Sequence, residues 1–232
     1  ATVHQEFDRR GREELGVRPE FASHYGESLA ILAGDLQHGM AVRWIADYGG
    51  GREPNEKASV SVGLIAELER FLLNRIMEGE VLDIQLSQQA IGKVTEIEVL
   101  RMVGGKTAYM FSFCARAGGM AAKGEYAPKG LQVTALGEYG YHAGMGFQLQ
   151  DDILGIMGTE QDLGKPVGSD LREGKKSLPI LHAWQQADEA ERKQLESVIG
   201  NPESTEEDIR EAAALVKKTG GIEYAKQLAQ NH

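Results

Sequence analysis

Asp151 and Asp152 stand side by side, and the segment after them carries Lys165, Lys175 and Lys176 among the glycines Gly158, Gly164, Gly168 and Gly174. Carboxylates are natural ligands for Mg²⁺, which takes one or two of them and fills its shell with water and phosphate oxygens. Lysines beside such a pair would repel a bare metal, so the mixture points to an anion of high charge lying between the two. A metal-bound diphosphate meets that description.

The element that must position the acids is Gly144-Met-Gly-Phe-Gln-Leu-Gln-Asp-Asp-Ile-Leu-Gly155, which reads as helix. Residues three and four apart share a helix face, so Gln148 lies on the side of Asp151 and Asp152. Gly144, one turn earlier, and Gly155, one turn later, leave room for something bulky near the backbone. The blander reading is a solvated acidic face followed by an ordinary loop. Phe147, Leu149, Ile153 and Leu154 weigh against it, because adjacent carboxylates on an apolar helix are costly unless paired or metal-bound.

These residues resemble the trans-isoprenyl diphosphate synthases, or polyprenyl synthetases. The second aspartate-rich region of that family reads Phe-Gln-x-x-Asp-Asp-x-x-Asp or Gly, then Gly-Lys-x-x-Gly-x-Asp-Leu-x-x-Gly-Lys. Phe147, Gln148, Asp151, Asp152, Gly155, Gly164, Lys165, Gly168, Asp170, Leu171, Gly174 and Lys175 match it in order and spacing. Upstream, Lys106-Thr107 is similar to a lysine–threonine motif of the family, and Ala33-Gly34-Asp35 to its Leu-x-Gly-Asp element, where small residues permit close helix packing. Glu78-Gly-Glu-Val-Leu-Asp83 resembles its Gly-Gln-x-x-Asp segment, with Glu80 where glutamine is usual. That departure leaves the charge of this wall open. Asp83 reads equally as a helix-surface acid and as indirect support for a metal. Lys106, among Met102, Val103, Met110, Phe111 and Phe113, wants an anion, since an unpaired buried ammonium is expensive; its blander reading is a surface lysine lying over apolar neighbours.

The resemblance implies an all-α, antiparallel helical bundle of the isoprenoid synthase type around a deep central cavity. It also implies head-to-tail prenyl transfer, in which an allylic diphosphate ionises and isopentenyl diphosphate attacks the carbocation. In that scheme Asp151 binds Mg²⁺ directly, Asp152 and Asp170 bind it through water, and about three ions take part. Lys106 and Lys165 hold the leaving diphosphate and Lys175 closes over it. Thr107 and Gln148 present oxygen dipoles to the cation and place the second substrate. A homodimer and, by default, geranylgeranyl diphosphate as product are implied as well. Asp151-Asp152 is the only adjacent aspartate pair in the sequence. The family's first Asp-Asp-x-x-Asp motif and its isopentenyl diphosphate helices are therefore expected outside residues 1–232. Ala1-Thr-Val-His4 reads as mid-chain, and 1–232 as one domain short of its amino-terminal helices and part of its carboxyl terminus. Two alternatives stay open: a silent partner subunit of a heteromeric synthase, which loss of the first motif would favour, and a class I terpene cyclase. The cyclase would need an Asn/Asp-x-x-Ser/Thr-x-x-x-Glu motif, and none stands in the corresponding region.

Composition narrows the classes. A net charge of −10 argues against a nucleic-acid partner, which wants a basic face. The single cysteine, Cys114, excludes an internal disulfide and fits a reducing cytoplasm. No run of 18 apolar residues exists, so no integral membrane segment is expected.

The elements read as helices throughout. Residues 1–24 look polar and irregular, with 5–24 a connecting insertion and Arg9 and Arg10 a solvated pair. A helix over 26–48 carries Leu29, Leu32, Ala33, Leu36, Met40, Trp44 and Ala46 at helical spacing, a stretch apolar enough to bury a face against a partner, and Tyr48 to Pro54 is a loop. A long helix over 57–89 buries Val62, Ile65, Leu68, Leu72, Ile76 and Leu82. Thr95 with Glu98 forms a capping box, and Pro128 fits the first turn of the helix that leads to the acids. One helix spans 177–200, another starts at Ser204, and Gly220-Gly221 breaks it.

Overall fold

The computed structural model describes residues 2–48, 54–157 and 168–232, and among them there are helices and turns but no strand. They form two compact units, Ala1–Ile65 and Ala66–His232.

The first unit holds α1 (Val3–Leu15) and α2 (Pro19–Tyr48), followed by most of α3 (Pro54–Glu67). The expected irregular insertion is thus a helix. Its signals are local: Gln5 Oε1 accepts from the Thr2 amide (3.2 Å) at the start, and Gly16 turns left-handed at φ 68° to end it. Its apolar pattern is faint because its surface is held by ion pairs instead. Arg9 and Arg10 both reach Glu6, and Arg9 also reaches Glu13, so the solvated-pair reading of these arginines holds. The second helix starts at Pro19, seven residues earlier than expected, with proline suited to a first turn.

The two helices meet where Gly26 backs onto the His4 carbonyl and where Gly11 lies 2.7 Å, measured to an added Cβ, from the Tyr25 ring. A 13-residue α1 can cover only the early turns of a 30-residue α2, so burial on α2 stops at Ala22 and Gly26. Leu32, Leu36, Met40 and Trp44 of the apolar stripe are exposed. Among the described residues nothing lies within 4 Å of a Cβ added at Gly34, so the close packing expected there is not seen. On α3 Val60 and Leu64 are buried, as are Ser61 and Gly63, while Val62 is exposed.

The second unit begins with a π-helical turn (Leu68–Leu72) and α4 (Leu73–Gln88), then α5 (Glu96–Val103), a second π-turn (Gly104–Ala108) and α6 (Tyr109–Lys123). Thr95 caps α5 as expected, accepting from Glu98 N (3.3 Å) while Glu98 accepts from Thr95 N (2.9 Å). α7 (Leu131–Met157) runs antiparallel to α6 and packs closely on it, with Gly140 against the Phe111 carbonyl and Gly144 against Ala108. Pro128 is not in that helix. It is the second residue of a turn closed by Gly130 N to Ala127 O (2.9 Å), where its fixed φ is equally at home.

After α8 (Ser169–Arg172) the expected single helix over 177–200 is two, α9 (Leu178–Gln186) and α10 (Glu189–Val198). Asp188 makes the break by accepting from Glu191 N (2.9 Å), a side-chain cap that competes with continuing the helix. α11 (Glu206–Lys218) starts at a Thr205–Asp208 box, and Gly220 at φ 84° separates it from α12 (Gly221–Asn231). One core runs through the unit, with Val99, Leu149, Ile156, Leu171, Ile180 and Leu181 fully enclosed. Burial of such side chains stabilises by roughly 1.5–3 kcal/mol each. Among the described residues no helix is long and apolar enough to cross a membrane.

Candidate active site

The α7 helix presents its acid pair asymmetrically. Leu149, Ile153 and Ile156 point into the core, and the same rotation buries Asp152 while leaving Asp151 exposed. Phe147 and Leu154, counted on the apolar face from sequence, are exposed. Gln148 ties the acids together, its amide donating to Asp152 Oδ1 (3.0 Å) and Asp151 Oδ2 (3.2 Å). Its own oxygen accepts from the Thr107 hydroxyl (2.7 Å), so neither dipole is free as drawn from the sequence.

Lys106 and Thr107 come from the π-turn between α5 and α6. The turn packs on α4 where Gly79 meets the Lys106 amide and Gly105 lies 2.9 Å, again to an added Cβ, from the Arg75 carbonyl. π-turns inside α-helices recur at functional sites because they re-aim side chains. This one aims Lys106 at Asp83 (2.6 Å) and Glu80 (3.2 Å), both on α4. The lysine therefore has its anion from the chain itself, which sequence reasoning missed. Burial works against its charge, but Asp83 and then Glu80 outweigh that and hold its pKa above the ordinary value.

The opposite wall is the strap 168–177. Lys175 Nζ bonds Asp170 Oδ1 (2.8 Å) and reaches Glu173 (3.2 Å). Burial again opposes the charge and the carboxylates prevail, so its pKa is raised. The Asp170 carboxyl lies against the Cα of Gly155, in space that any side chain at 155 would fill. Lys176, counted from sequence among the lysines beside the acids, is instead buried and donates to the Ser87 (2.8 Å) and Gly174 (2.7 Å) carbonyls. It fastens the strap to the end of α4. The sequence carries a repeated spacing at the lysine partners: Glu80 and Asp83 are acids three apart on one face of α4, and Asp170 and Glu173 stand three apart in the strap, Glu173 just past the end of α8.

Asp83, Lys106, Gln148, Asp152 and Lys175 line one cavity of about 30 Å³ together with Met102 and Ser177. That is room for a water-sized guest. Among the described residues Asp152 Oδ2 is buried without a hydrogen-bond partner. Burial, only partly relieved by Gln148 and reinforced by Asp170 and Asp151, lifts the Asp152 carboxyl to about 7. An orphaned, strained carboxylate beside a small void suits a divalent cation, which would supply the missing counter-charge. Among the described residues no three acid, histidine or cysteine side chains converge on one point. Mg²⁺ does not need them to, since it usually keeps waters and phosphate oxygens in its shell. Lys165, Gly158 and Gly164 lie outside the described residues.

Comparison with known proteins gives the family. The Polyprenyl synthetase family model matches residues 8–216, and the chain belongs to that family. That match gives no support to the expectation that the first aspartate-rich motif is lacking. A geranylgeranyl diphosphate synthase of Saccharolobus solfataricus is 37% identical over 97% of this chain and 62% of its own length. The chain thus spans less than two thirds of that relative. A crystal structure of a geranylgeranyl pyrophosphate synthase from Corynebacterium glutamicum, complexed with isoprenyl diphosphate and magnesium, superposes with a TM-score of 0.75 at 26% identity. That superposition covers 99% of this chain and 61% of the other. The geranylgeranyl pyrophosphate synthetase of Pyrococcus horikoshii Ot3 gives 0.72 at 32% identity, covering 99% and 65%.

Proposed function

We propose that the protein is a prenyltransferase that joins isopentenyl diphosphate to an allylic diphosphate, with geranylgeranyl diphosphate as the product suggested by its relatives. The observation that carries this reading is the meeting of Lys106 and Lys175, from two separate segments, in one cavity with Asp152, whose Oδ2 has no partner among the described residues. Asp151, Asp152 and Asp170 would hold Mg²⁺, which when bound would neutralise charge on the departing diphosphate. Lys106, Lys175 and Lys165 bind diphosphate oxygens. Thr107 fixes Gln148, and Gln148 fixes the two aspartates, so the acids are oriented before any ligand arrives. The allylic C–O bond breaks, the new C–C bond forms to the alkene of isopentenyl diphosphate, and a proton is lost. Carboxylates outnumber ammoniums here, and a diphosphate adds more negative charge, which supports several cations, about three.

Both units belong to one isoprenoid synthase domain in this reading, because the family match runs through both. The exposed Leu32, Leu36, Met40 and Trp44 support a homodimer. The lone, free Cys114 supports a cytoplasmic location. The silent-subunit alternative is disfavoured by the organised Lys106–Gln148–Asp152 constellation, which a scaffold does not need. The test is incubation with Mg²⁺, isopentenyl diphosphate and an allylic diphosphate, followed by product chromatography. A longer prenyl diphosphate is expected; its absence together with binding of both substrates would put the silent subunit in front.

A further inference from the structure

The two lysines of the cavity are held alike. Each has one close, enclosed aspartate, Asp83 at 2.6 Å and Asp170 at 2.8 Å, with side chains 19% and 9% exposed. Each also has one looser glutamate at 3.2 Å, Glu80 and Glu173, with side chains 46% and 53% exposed. Short charge-assisted bonds in enclosed surroundings are strong and costly to break. Half-exposed pairs are screened and contribute little. Within each trio the glutamate is the partner that can leave.

We propose that Glu80 and Glu173 are exchangeable placeholders. An entering diphosphate displaces them from Lys106 and Lys175, while Asp83 and Asp170 stay and keep the ammoniums aimed at the cavity. The glutamates are therefore positioning residues that act through the lysines and set how tightly the site holds diphosphate. Before the ligand enters they neutralise the lysines, so that neither ammonium is drawn onto the orphaned Asp152 carboxylate. Once displaced, each leaves a negative charge near the bound anion, which weakens its retention and favours release of a diphosphate product.

This inference rests on the diphosphate reading of the site, and the experiment separates the two. Inorganic pyrophosphate with Mg²⁺ is titrated by calorimetry into the purified wild-type protein, Glu80→Gln, Glu173→Gln and the double variant. Glutamine keeps the size and removes the charge at exposed positions, and thermal melting checks that each variant is folded. Each single change should tighten pyrophosphate by about 1.5- to fivefold, the span of an exposed ion pair. The double variant should approach the product of the two, because the glutamates serve different lysines. In steady state KM for the allylic diphosphate should fall, with kcat unchanged or lower as release slows. Wild-type binding with unchanged or weaker binding in both glutamine variants overturns the placeholder role alone. No binding to the wild-type protein overturns the diphosphate reading and this inference with it.

Discussion

The two walls of the cavity hold the same pair of groups by different means. On the Lys106 side the lysine sits in a π-turn locked between helices, with Gly79 under its amide and Thr107 bonded across to α7. On the Lys175 side it sits on a strap whose helix is four residues long. That strap is closed by Gly174 at φ 75° and tethered through Lys176. One wall is set by helix packing, the other by a few backbone bonds. A preorganised cation stabilises charge as it develops, whereas a strap-borne one gathers a ligand already charged.

That difference should appear most strongly in the lysines themselves. Lys106→Ala is expected to lower kcat on the order of a hundred- to a thousandfold, the cost of losing one preorganised electrostatic contact. Lys175→Ala should cost less and show mainly as a higher KM, because the strap lysine contributes to ground-state binding. Steady-state prenyl transfer with saturating Mg²⁺ measures both. Equal losses in kcat would mean that the walls do the same work.

The second contrast is steric. Gly79→Ala drives a methyl into the Lys106 backbone, where nothing flexible can yield, and should destabilise by about 3 kcal/mol. Gly174→Ala meets Gly200 at 3.0 Å and must hold a left-handed φ, a cost of about 1–2 kcal/mol. Chemical denaturation ranks them. A reversed order would place the rigid wall at the strap.

How much of this was legible in the sequence differs between the walls for a physical reason. The helices and the shared face of Gln148 with the acid pair could be read because helical periodicity and capping are local, whereas the glycine–lysine spacing was read through the family resemblance. Thr95 with Glu98 was read correctly for that reason. The acids three apart on α4 mark candidate partners, but their pairing with Lys106 could not be read, since Asp83 lies 23 residues away and only a π-turn, which leaves no periodic signature, brings them together. Helix α1 was missed because its stabilisation lies in Arg–Glu pairs and a cap rather than in an apolar stripe. The exposed stripe of α2 shows the converse: apolar spacing reports what a helix could bury and leaves open whether this chain buries it.

Between the walls, Asp152 offers a pH test. Its carboxyl titrates near 7 in the folded protein against about 3.9 for a free aspartate. The folded state therefore binds the proton more tightly. Stability is highest at low pH as far as this group is concerned, and it is lost as pH climbs from about 4 to about 7. Without metal, Asp152→Asn should stabilise the protein at pH 7.5 by roughly 2–4 kcal/mol, and the gain should vanish near pH 4. Added Mg²⁺ should stabilise the wild type increasingly as pH passes 7, since the ligand must be deprotonated, and should do so less for the variant. Melting curves across pH with and without Mg²⁺ decide it. A pH-independent difference would mean that Asp152 is ionised throughout.

The smallest effect isolates the strap. Lys176 is buried with two carbonyl partners and no carboxylate, and burial lowers its pKa. Methionine matches its length and apolar stem, so Lys176→Met trades two hydrogen bonds for relief of a desolvated charge. Those contributions nearly cancel, and global stability should change by less than about 1 kcal/mol. The tether to Ser87 is nonetheless gone, so amide hydrogens of the strap that bond locally, Gly174 to Leu171 and Lys175 to Asp170, should exchange several-fold faster. Amides of the π-turn around Lys106 do not depend on that tether and should keep their rates. Hydrogen exchange at single-residue resolution reads both walls in one experiment. If the two speed up together, they form one cooperative element, and the distinction between a packed wall and a tethered one does not hold.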